Sequence, residues 1–588
     1  MRSAFSTVFP HSGSDATAPS PSIWLWGLVL PLILYAARAS QVLLDPYLPY
    51  DTEHTYLPLA RMLLENPGAL WSNPLSLKSA PGTYVYMALA GAHVSTIKML
   101  NLVMALSVVV MLFDAARRTA GPIAAAAAAW LLAVSPSLMS LSVYPMVEPP
   151  SLFLLTLWLW ATAWCMDSKR PFLPVVLAGL ALTAATLTRA TLMYWIPAIA
   201  LLSLVALVVP ALKAMPIPWK RIAAIHLLAL LGVGAYMAKN GAEFNKPAIA
   251  TGSGAALYFG NLPLTLGEEP PFVGLQHDDG FVTIDATHLS ILGDQRLTDT
   301  ARFIVQQMPL PELASFYLHK AGSILFFSKS DLSSYNDRVW RIGLIVLAAA
   351  GLWFGRKRPM VQLTGLLTLY MLAVHVPALY NPRYSIVALD IELTLLAGIG
   401  IGLIWQQARR WRVIFSIIVM MITGMLIGAA HQRYSSAIMA NFDAQPLRAL
   451  FLARPESVRT SGFSSDPFKS AATITDNVLK IEWNDEFPET DGFSLLHLNI
   501  KELRGECTKA WMTYTNAQGQ HREQFMRINS LRNGQDFTRG LLHVFSPGPG
   551  KQLTLALQCS KGAQIHLGSM GLYVGAPGLY YRKLQSDR

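Results

Sequence analysis

Charge is what this sequence lacks. Its 46 Lys/Arg and 35 Asp/Glu make up 14% of 588 residues, where a soluble domain carries about a quarter. With 53% hydrophobic side chains, that scarcity excludes an ordinary soluble enzyme and an intrinsically disordered chain. Cysteine is scarcer still: three residues exclude a disulfide-rich miniprotein. There is no internal repeat at a solenoid period, and no Cys/His spacing of a dedicated zinc site. The charge that exists is unevenly placed. From residue 441 onward 31 of 148 residues are charged, against 50 of the first 440. The chain therefore reads as a membrane body joined to a soluble-looking tail. A net charge of +11 lies largely in short clusters between apolar runs, which is loop charge that orients membrane helices rather than a nucleic-acid surface.

Apolar runs of about membrane-crossing length occur at 23–39, 96–114, 121–139, 147–166, 172–190, 192–210, 222–239, 339–355, 359–378, 384–405 and 411–430. This predicts a polytopic α-helical membrane protein of about 11 spans. Arg117–Arg118, Lys169–Arg170, Lys213 with Lys220–Arg221, Arg356–Lys357–Arg358, and Arg409–Arg410 with Arg412 occupy every second connection. The positive-inside rule makes that side cytoplasmic. The N-terminus is then inside and the C-terminus outside. The short apolar stretch at 316–328 reads as a re-entrant or interfacial helix. Residues 1–22 read as a disordered cytoplasmic leader. Ala37-Arg38-Ala39 has the small-x-small look of a signal-peptidase site, but the long leader holds only Arg2 as a basic residue, so retention is expected. The membrane domain is expected over 23–431, with external loops 40–95 and 240–338. Residues 440–588 are expected to form an extracytoplasmic β-sandwich, because "FSLLHLNI", "KAWMTYTN", "QLTLALQC" and Ser569–Val574 are short strand-like runs bounded by turn residues. Cys507 and Cys559 both fall in that exported tail, where a disulfide can form; two buried free thiols are the alternative.

Charged residues near the outer mouths of the spans are the candidate chemistry. Asp51 and Glu53 follow the first span directly, with His54 beside them. Their plain reading is a cap and a first-turn acid of the interfacial helix that follows. Glu148 heads the fourth span before Pro149 and Pro150, a good helix start. Arg189 closes the fifth, Arg383 stands at the outer mouth of the tenth, and Lys78 lies in the first external loop. Asp390 and Glu392 lie inside the membrane, where carboxylates are expensive and count as functional candidates, a satisfied interhelical bond being the alternative. Carboxylates and cations from different spans that converge on one face suit a lipid-linked, phosphate-bearing substrate.

In order and placement these features resemble the GT-C superfamily of integral-membrane glycosyltransferases, in the branch of protein mannosyltransferases and lipid A aminoarabinose transferases. The resemblance covers about residues 25–405. It rests on the acidic pair Asp51-Thr52-Glu53; on Lys78-Ser79-Ala80-Pro81 with Tyr84 or Tyr86; and on Val147-Glu148-Pro149-Pro150. It rests further on Gly179 through Thr188-Arg189; on Lys239-Asn240, Gly254 and Gly260-Asn261; and on Pro382-Arg383-Tyr384. The D-x-E spacing departs from the adjacent acids of many relatives, Lys239 replaces a commoner Arg, and Asp390 and Glu392 fall where relatives are often apolar. The tail lies outside the resemblance and looks like the carbohydrate-binding sandwiches of some GT-C enzymes.

The resemblance implies transfer of a hexose or pentose from a polyprenyl-phosphate donor to an envelope glycan, lipid or protein, with inversion. Asp51 is implied as base with Glu53 in reserve; Lys78, Arg383 and Arg189 as donor-phosphate contacts; and Glu148, His54, Tyr84, Asn261 and Tyr384 as substrate-site residues. No obligatory cofactor is implied, although Asp51, Glu53, Glu148 and His54 could hold a divalent cation. The expected partners are the lipid-linked donor, the acceptor and the bilayer, with no nucleic acid. The expected location is a bacterial inner membrane with the site facing the periplasm. A lipid-linked-sugar flippase or transporter is the alternative, against which stands the lack of paired Gly/Pro-broken helices in corresponding halves.

Overall fold

Apolar runs become helices in lipid because every backbone N–H and C=O must be satisfied within its own segment. Among the described residues of the computed structural model, seven helices are long and apolar enough to cross a membrane. They are α1 (Leu25–Leu43), α2 (Val94–Ala120), α4 (Glu148–Asp167), α6 (Ala190–Val208), α7 (Trp219–Phe244), α8 (Arg338–Gly355) and α10 (Pro382–Gln407). Three shorter apolar helices join them: α3 (Pro122–Val134), α5 (Phe172–Thr188) and α9 (Pro359–His375). This is a multi-pass membrane protein. Ten of the expected runs coincide with an apolar helix. The eleventh, 411–430, lies mostly outside the described residues, as does the leader at 1–22. The structure describes residues 24–44, 48–49, 51–261, 267, 286–326, 335–407, scattered positions between 418 and 429, and 448–574 apart from 477, 488–492, 506, 517–520, 532–536 and 543–549.

Two compact units result: residues 1–262, 266–268 and 289–432 form one, and 263–265, 269–288 and 433–588 the other. In the first unit α10 is the central helix, almost wholly buried. Small residues let it sit there. A Cβ added at Gly398 would lie 2.6 Å from the Ala128 Cβ, and one at Gly402 would lie 2.6 Å from the Ala124 Cβ. The alanine run of α3 therefore meets the glycines of α10 at backbone distance, which is how helices associate when lipid removes the hydrophobic drive. Leu201, Val208 and Leu231 point outward, as a lipid-facing surface requires.

The basic clusters gather at one end of this bundle. Arg117 and Arg118 pair with Asp114, each at 2.6 Å, and Arg118 reaches Asp167 at 3.9 Å. Arg221 donates to the carbonyls of Cys165 and Ser168 at 2.5 and 3.1 Å, and Arg358 donates to the Thr119 carbonyl. Cations expected in alternate connections are thus tied to helix C-termini, whose carbonyls want donors.

Between α1 and α2 the chain makes short helices, Leu57–Glu65, Pro67–Trp71, the 3-10 turn Pro74–Lys78, and Pro81–Leu89. Asn66 and Asn73 cap two of them through their side chains, each followed by proline. Between α7 and α8 lie Ser253–Gly260, Ile291–Gln307 and Leu310–Phe326. The last covers the stretch read as re-entrant.

The second unit holds two antiparallel five-stranded sheets. One runs β1 (Arg448–Leu452), β10 (Gln564–Val574), β5 (Phe493–Arg504), β8 (Phe537–Leu542), with β3 (Ala472–Thr473) also on β10. The other runs β2 (Val458–Ser461), β4 (Val478–Phe487), β9 (Gly550–Cys559), β6 (Cys507–Asn516), β7 (His521–Leu531). Alternate residues Leu479, Ile481 and Trp483 of β4 and Leu553, Leu555 and Leu557 of β9 share one core with Leu498, Ile500, Ile565 and Leu567 of the other sheet. Period-two burial from both sheets makes a sandwich. Cys507 and Cys559 are register partners on neighbouring strands and are disulfide-bonded.

Candidate active site

Asp51, Glu148, Arg189 and Arg383 come from four separate stretches and meet at the end of the bundle away from the basic clusters. They alternate in sign. Arg383 Nη2 lies 3.5 Å from Asp51 Oδ2, Arg383 Nε lies 3.3 Å from Glu148 Oε1, and Arg189 Nη1 lies 3.7 Å from the same oxygen. Both guanidiniums cover the Tyr384 ring at 5.1 Å, and Arg383 Nη2 donates to the Tyr384 hydroxyl at 3.3 Å. The burial gradient separates the two acids. Glu148 is fully buried, whereas 46% of the Asp51 side chain is exposed. Neither Arg383 Nε nor Arg189 Nη1 makes a hydrogen bond among the described residues. The cations are held as ion pairs.

Local structure explains the convergence. Asp51 precedes a π-helical turn, Thr52–Tyr56, and buried Thr52 donates from its hydroxyl to the Pro145 carbonyl. Tyr86 donates to the Met146 carbonyl at 2.6 Å, and Asn101 Nδ2 to those of Val143 and Tyr144 at 3.1 and 2.7 Å. These three side chains pin the segment that ends in Glu148, the first residue of α4. Arg189 occupies the single-residue joint between α5 and α6, in extended conformation. Tyr370 of α9 holds the first turn of α6 by donating to the Thr191 carbonyl at 2.6 Å. Asn381 Oδ1 accepts from the Arg383 amide at 2.8 Å and starts α10.

The first loop docks beside Arg189 through a glycine. A Cβ at Gly82 would lie 2.2 Å from the Thr188 hydroxyl and 2.9 Å from the Thr188 Cα, and Thr83 donates to the Thr188 carbonyl at 3.2 Å. Lys78 closes the turn four residues earlier. It is half-buried and has no carboxylate at ion-pair distance among the described residues. Glu53 and His54 are exposed and lie 3.8 Å apart.

Several other residues named from sequence bond to backbone carbonyls or neighbouring side chains. Tyr84 is fully buried and donates to the Ser76 carbonyl at 3.3 Å; burial pushes its phenol far up. Tyr86, the other aromatic of that motif, is the one that touches the site segment. Asn261 donates to the carbonyls of Leu257 and Pro377 at 2.7 and 2.9 Å and accepts from Tyr317 at 2.8 Å. Lys239 pairs with Glu243 at 2.8 Å, and Asn240 donates to the Ala248 carbonyl at 2.8 Å. Asp390 pairs with Arg341 of α8 and accepts from Ser137 at 3.3 Å, while both oxygens of buried Glu392 lack a hydrogen bond among the described residues.

Sequence reading missed Tyr56. Its phenol is pushed well above the ordinary value, first by burial and then by the charges of Asp51 and Glu148, with Arg383 opposing. It therefore stays a hydroxyl beside the ion chain. Asp51 and Tyr56 are five apart, which a π turn brings to one face and a 3.6-residue period does not. Among the described residues no three His, Cys, Asp or Glu side chains converge as a metal centre would need.

No family model and no curated protein matches the sequence. Solved structures do resemble the fold. The archaeal oligosaccharyltransferase AglB from Archaeoglobus fulgidus, in complex with an inhibitory peptide and a dolichol-phosphate, is 12% identical over 70% of this chain and 56% of that one, with a TM-score of 0.38. The same oligosaccharyltransferase in complex with Zn and sulfate is 12% identical over 68% and 53%, at 0.35. ArnT from Cupriavidus metallidurans, bound to undecaprenyl phosphate, is 13% identical over 66% and 79%, at 0.29. Both proteins are GT-C superfamily membrane glycosyltransferases. The chain spans about half the length of the oligosaccharyltransferase structures it matches. Likeness of this degree leaves donor, acceptor and chemistry to the residues themselves.

Proposed function

We propose that the chain is a membrane glycosyltransferase that moves a sugar from a polyprenyl-phosphate donor to a hydroxyl of a cell-envelope glycan, lipid or protein. The observation that carries the reading is the ion chain Asp51–Arg383–Glu148–Arg189, assembled from four segments at one end of the bundle with its terminal carboxylate open to solvent. Asp51 takes the acceptor proton. The acceptor oxygen bonds to the anomeric carbon from the face opposite the phosphate, the carbon–oxygen bond to phosphate breaks, and its electron pair leaves on the polyprenyl phosphate. The sugar inverts. Arg383, Arg189 and Lys78 meet the charge that grows on the leaving phosphate, where one fixed donor is worth about 3–4 kcal/mol in comparable oxyanion sites, and a guanidinium presents two parallel donors. Glu148 holds both guanidiniums ready. The site faces the periplasm of a bacterial inner membrane, since the basic clusters lie at the other end.

Mass spectrometry of envelope lipids, glycans and surface proteins tests this in wild type, a deletion strain, and the deletion complemented with Asp51→Asn. One sugar mass missing from both the deletion and the variant is expected. Restoration of that mass by Asp51→Asn would remove Asp51 as the base. Transfer by the purified protein is expected to survive chelation of divalent cations; loss on chelation, reversed by adding one back, would reassign Asp51 and Glu53 to a metal.

A further inference from the structure

One helical turn inward from the ion chain lies a small cavity between α4, α5, α9 and α10. Arg189 and His375 are in its lining with Ser151 and Thr191, beside the apolar Leu155, Met371 and Val387. Its free space suits a water-sized group. Buried His375 donates from Nδ1 to the Met371 carbonyl at 2.7 Å, which leaves Nε2 of the neutral ring as an acceptor. Arg189 lines the same cavity and holds its Nη1 3.7 Å from Glu148 Oε1; a guanidinium carries further N–H donors. Of the neighbouring polar groups, the Ser151 hydroxyl donates to the Val147 carbonyl at 2.7 Å, and the Thr191 carbonyl accepts from Tyr370. One donor, one acceptor and room for one small polar group are the complement of a hydroxyl. A phosphate oxygen would meet the Nε2 lone pair and be repelled.

We propose that His375 is a specificity-determining residue of this site: its Nε2 accepts a hydrogen bond from a ligand hydroxyl whose oxygen accepts in turn from Arg189. The assignment rests on the glycosyltransferase reading. The hydroxyl belongs either to the transferred sugar or to the acceptor, and the test separates the two.

Full-length protein in lipid nanodiscs is assayed with undecaprenyl-phosphate pentoses and hexoses, each also as single-deoxy analogues, and with the acceptor identified by the strain comparison above. His375→Phe is expected to lower kcat/KM about 10- to 100-fold, because a buried hydroxyl loses its partner. His375→Gln, which offers an Oε1 acceptor, is expected to recover part of that. If one deoxy donor suffers no further loss from His375→Phe, the hydroxyl is the sugar's. If every donor loses equally and the acceptor KM alone rises, it is the acceptor's. Wild-type rates in His375→Phe overturn the proposal. So does a loss that adds to that of every deoxy analogue without moving the acceptor KM, or an equal loss in Phe and Gln variants with lowered melting temperatures, which marks a packing role. Asp51→Asn run alongside keeps the two readings apart: if wild type transfers none of these sugars, the glycosyltransferase reading falls and takes the His375 assignment with it.

Discussion

Glu148 shows what a single residue decides here. Its carboxylate lies within 3.7 Å of both guanidiniums and is fully buried, so Glu148→Gln leaves two cations facing each other without their shared anion. Removing one partner from a buried pair costs about 3–5 kcal/mol; with the arginines partly exposed, a loss near the lower end is expected, on the order of 3 kcal/mol, together with loss of transfer. Asp51→Asn, at the exposed end, is expected to abolish transfer with an unchanged melting temperature. Measuring melting and transfer for both variants separates the carboxylate that positions from the one that reacts, and equal destabilisation of the two would undo the distinction. Lys78 has no carboxylate partner to lose among the described residues. Lys78→Ala should therefore raise the apparent KM for the lipid donor and leave that for the acceptor; equal effects on both would argue against a phosphate contact. The four charges of the chain were legible as charges at span mouths, because an ionised group beside an apolar run stands out. Tyr56, Asn101 and His375 were not. Their roles come from through-space contacts with loops distant in sequence, and none breaks a local pattern.

At the level of elements, hydropathy revealed the helices but not their neighbours. Lipid and protein core are equally apolar, so α10, wrapped by protein, and α6, facing outward, have the same mean hydropathy to within a tenth, 2.0 against 2.1. What separates them is close packing on both sides: Gly398 and Gly402 meet Ala128 and Ala124 of α3, and Gly400 meets the backbone of α8 at Leu347 and Gly351. A Cβ at Gly398 would approach the Ala128 Cα to 2.8 Å, and that is backbone, which cannot swing aside. Gly398→Leu is expected to cost about 1–3 kcal/mol or more through overpacking, seen as a lower melting temperature in detergent. Transfer should fall with it, because α10 carries Arg383. An equal fall for Leu201→Ala on the outward face of α6 would mean that bilayer contact, not packing of α10, sets the stability. The π turn at Thr52–Tyr56 is the element that sequence reading described least well, since a five-residue repeat of one turn leaves no periodicity to find.

At the scale of the whole chain, two unrelated observations bear on which side of the membrane the tail occupies. One is charge: the basic clusters of alternate connections are gathered at one end of the bundle and clamp helix ends there, and the proposed cytoplasmic side is that end. The other is redox chemistry: Cys507 and Cys559 are bonded across neighbouring strands, and such a bond persists in an oxidising compartment and not in the cytoplasm. Neither argument uses the other's residues, and the proposed export of the tail draws on both. The bond closes a sequence separation of 52 residues, so Cys507→Ala should destabilise the sandwich by about 2–4 kcal/mol, read as an earlier tail transition in denaturant. A reporter active only outside the cytoplasm, fused after residue 440, should be active, and one fused after residue 215 silent. Exported activity at 215 would invert the bundle, and silence at 440 would strand the disulfide in a reducing compartment.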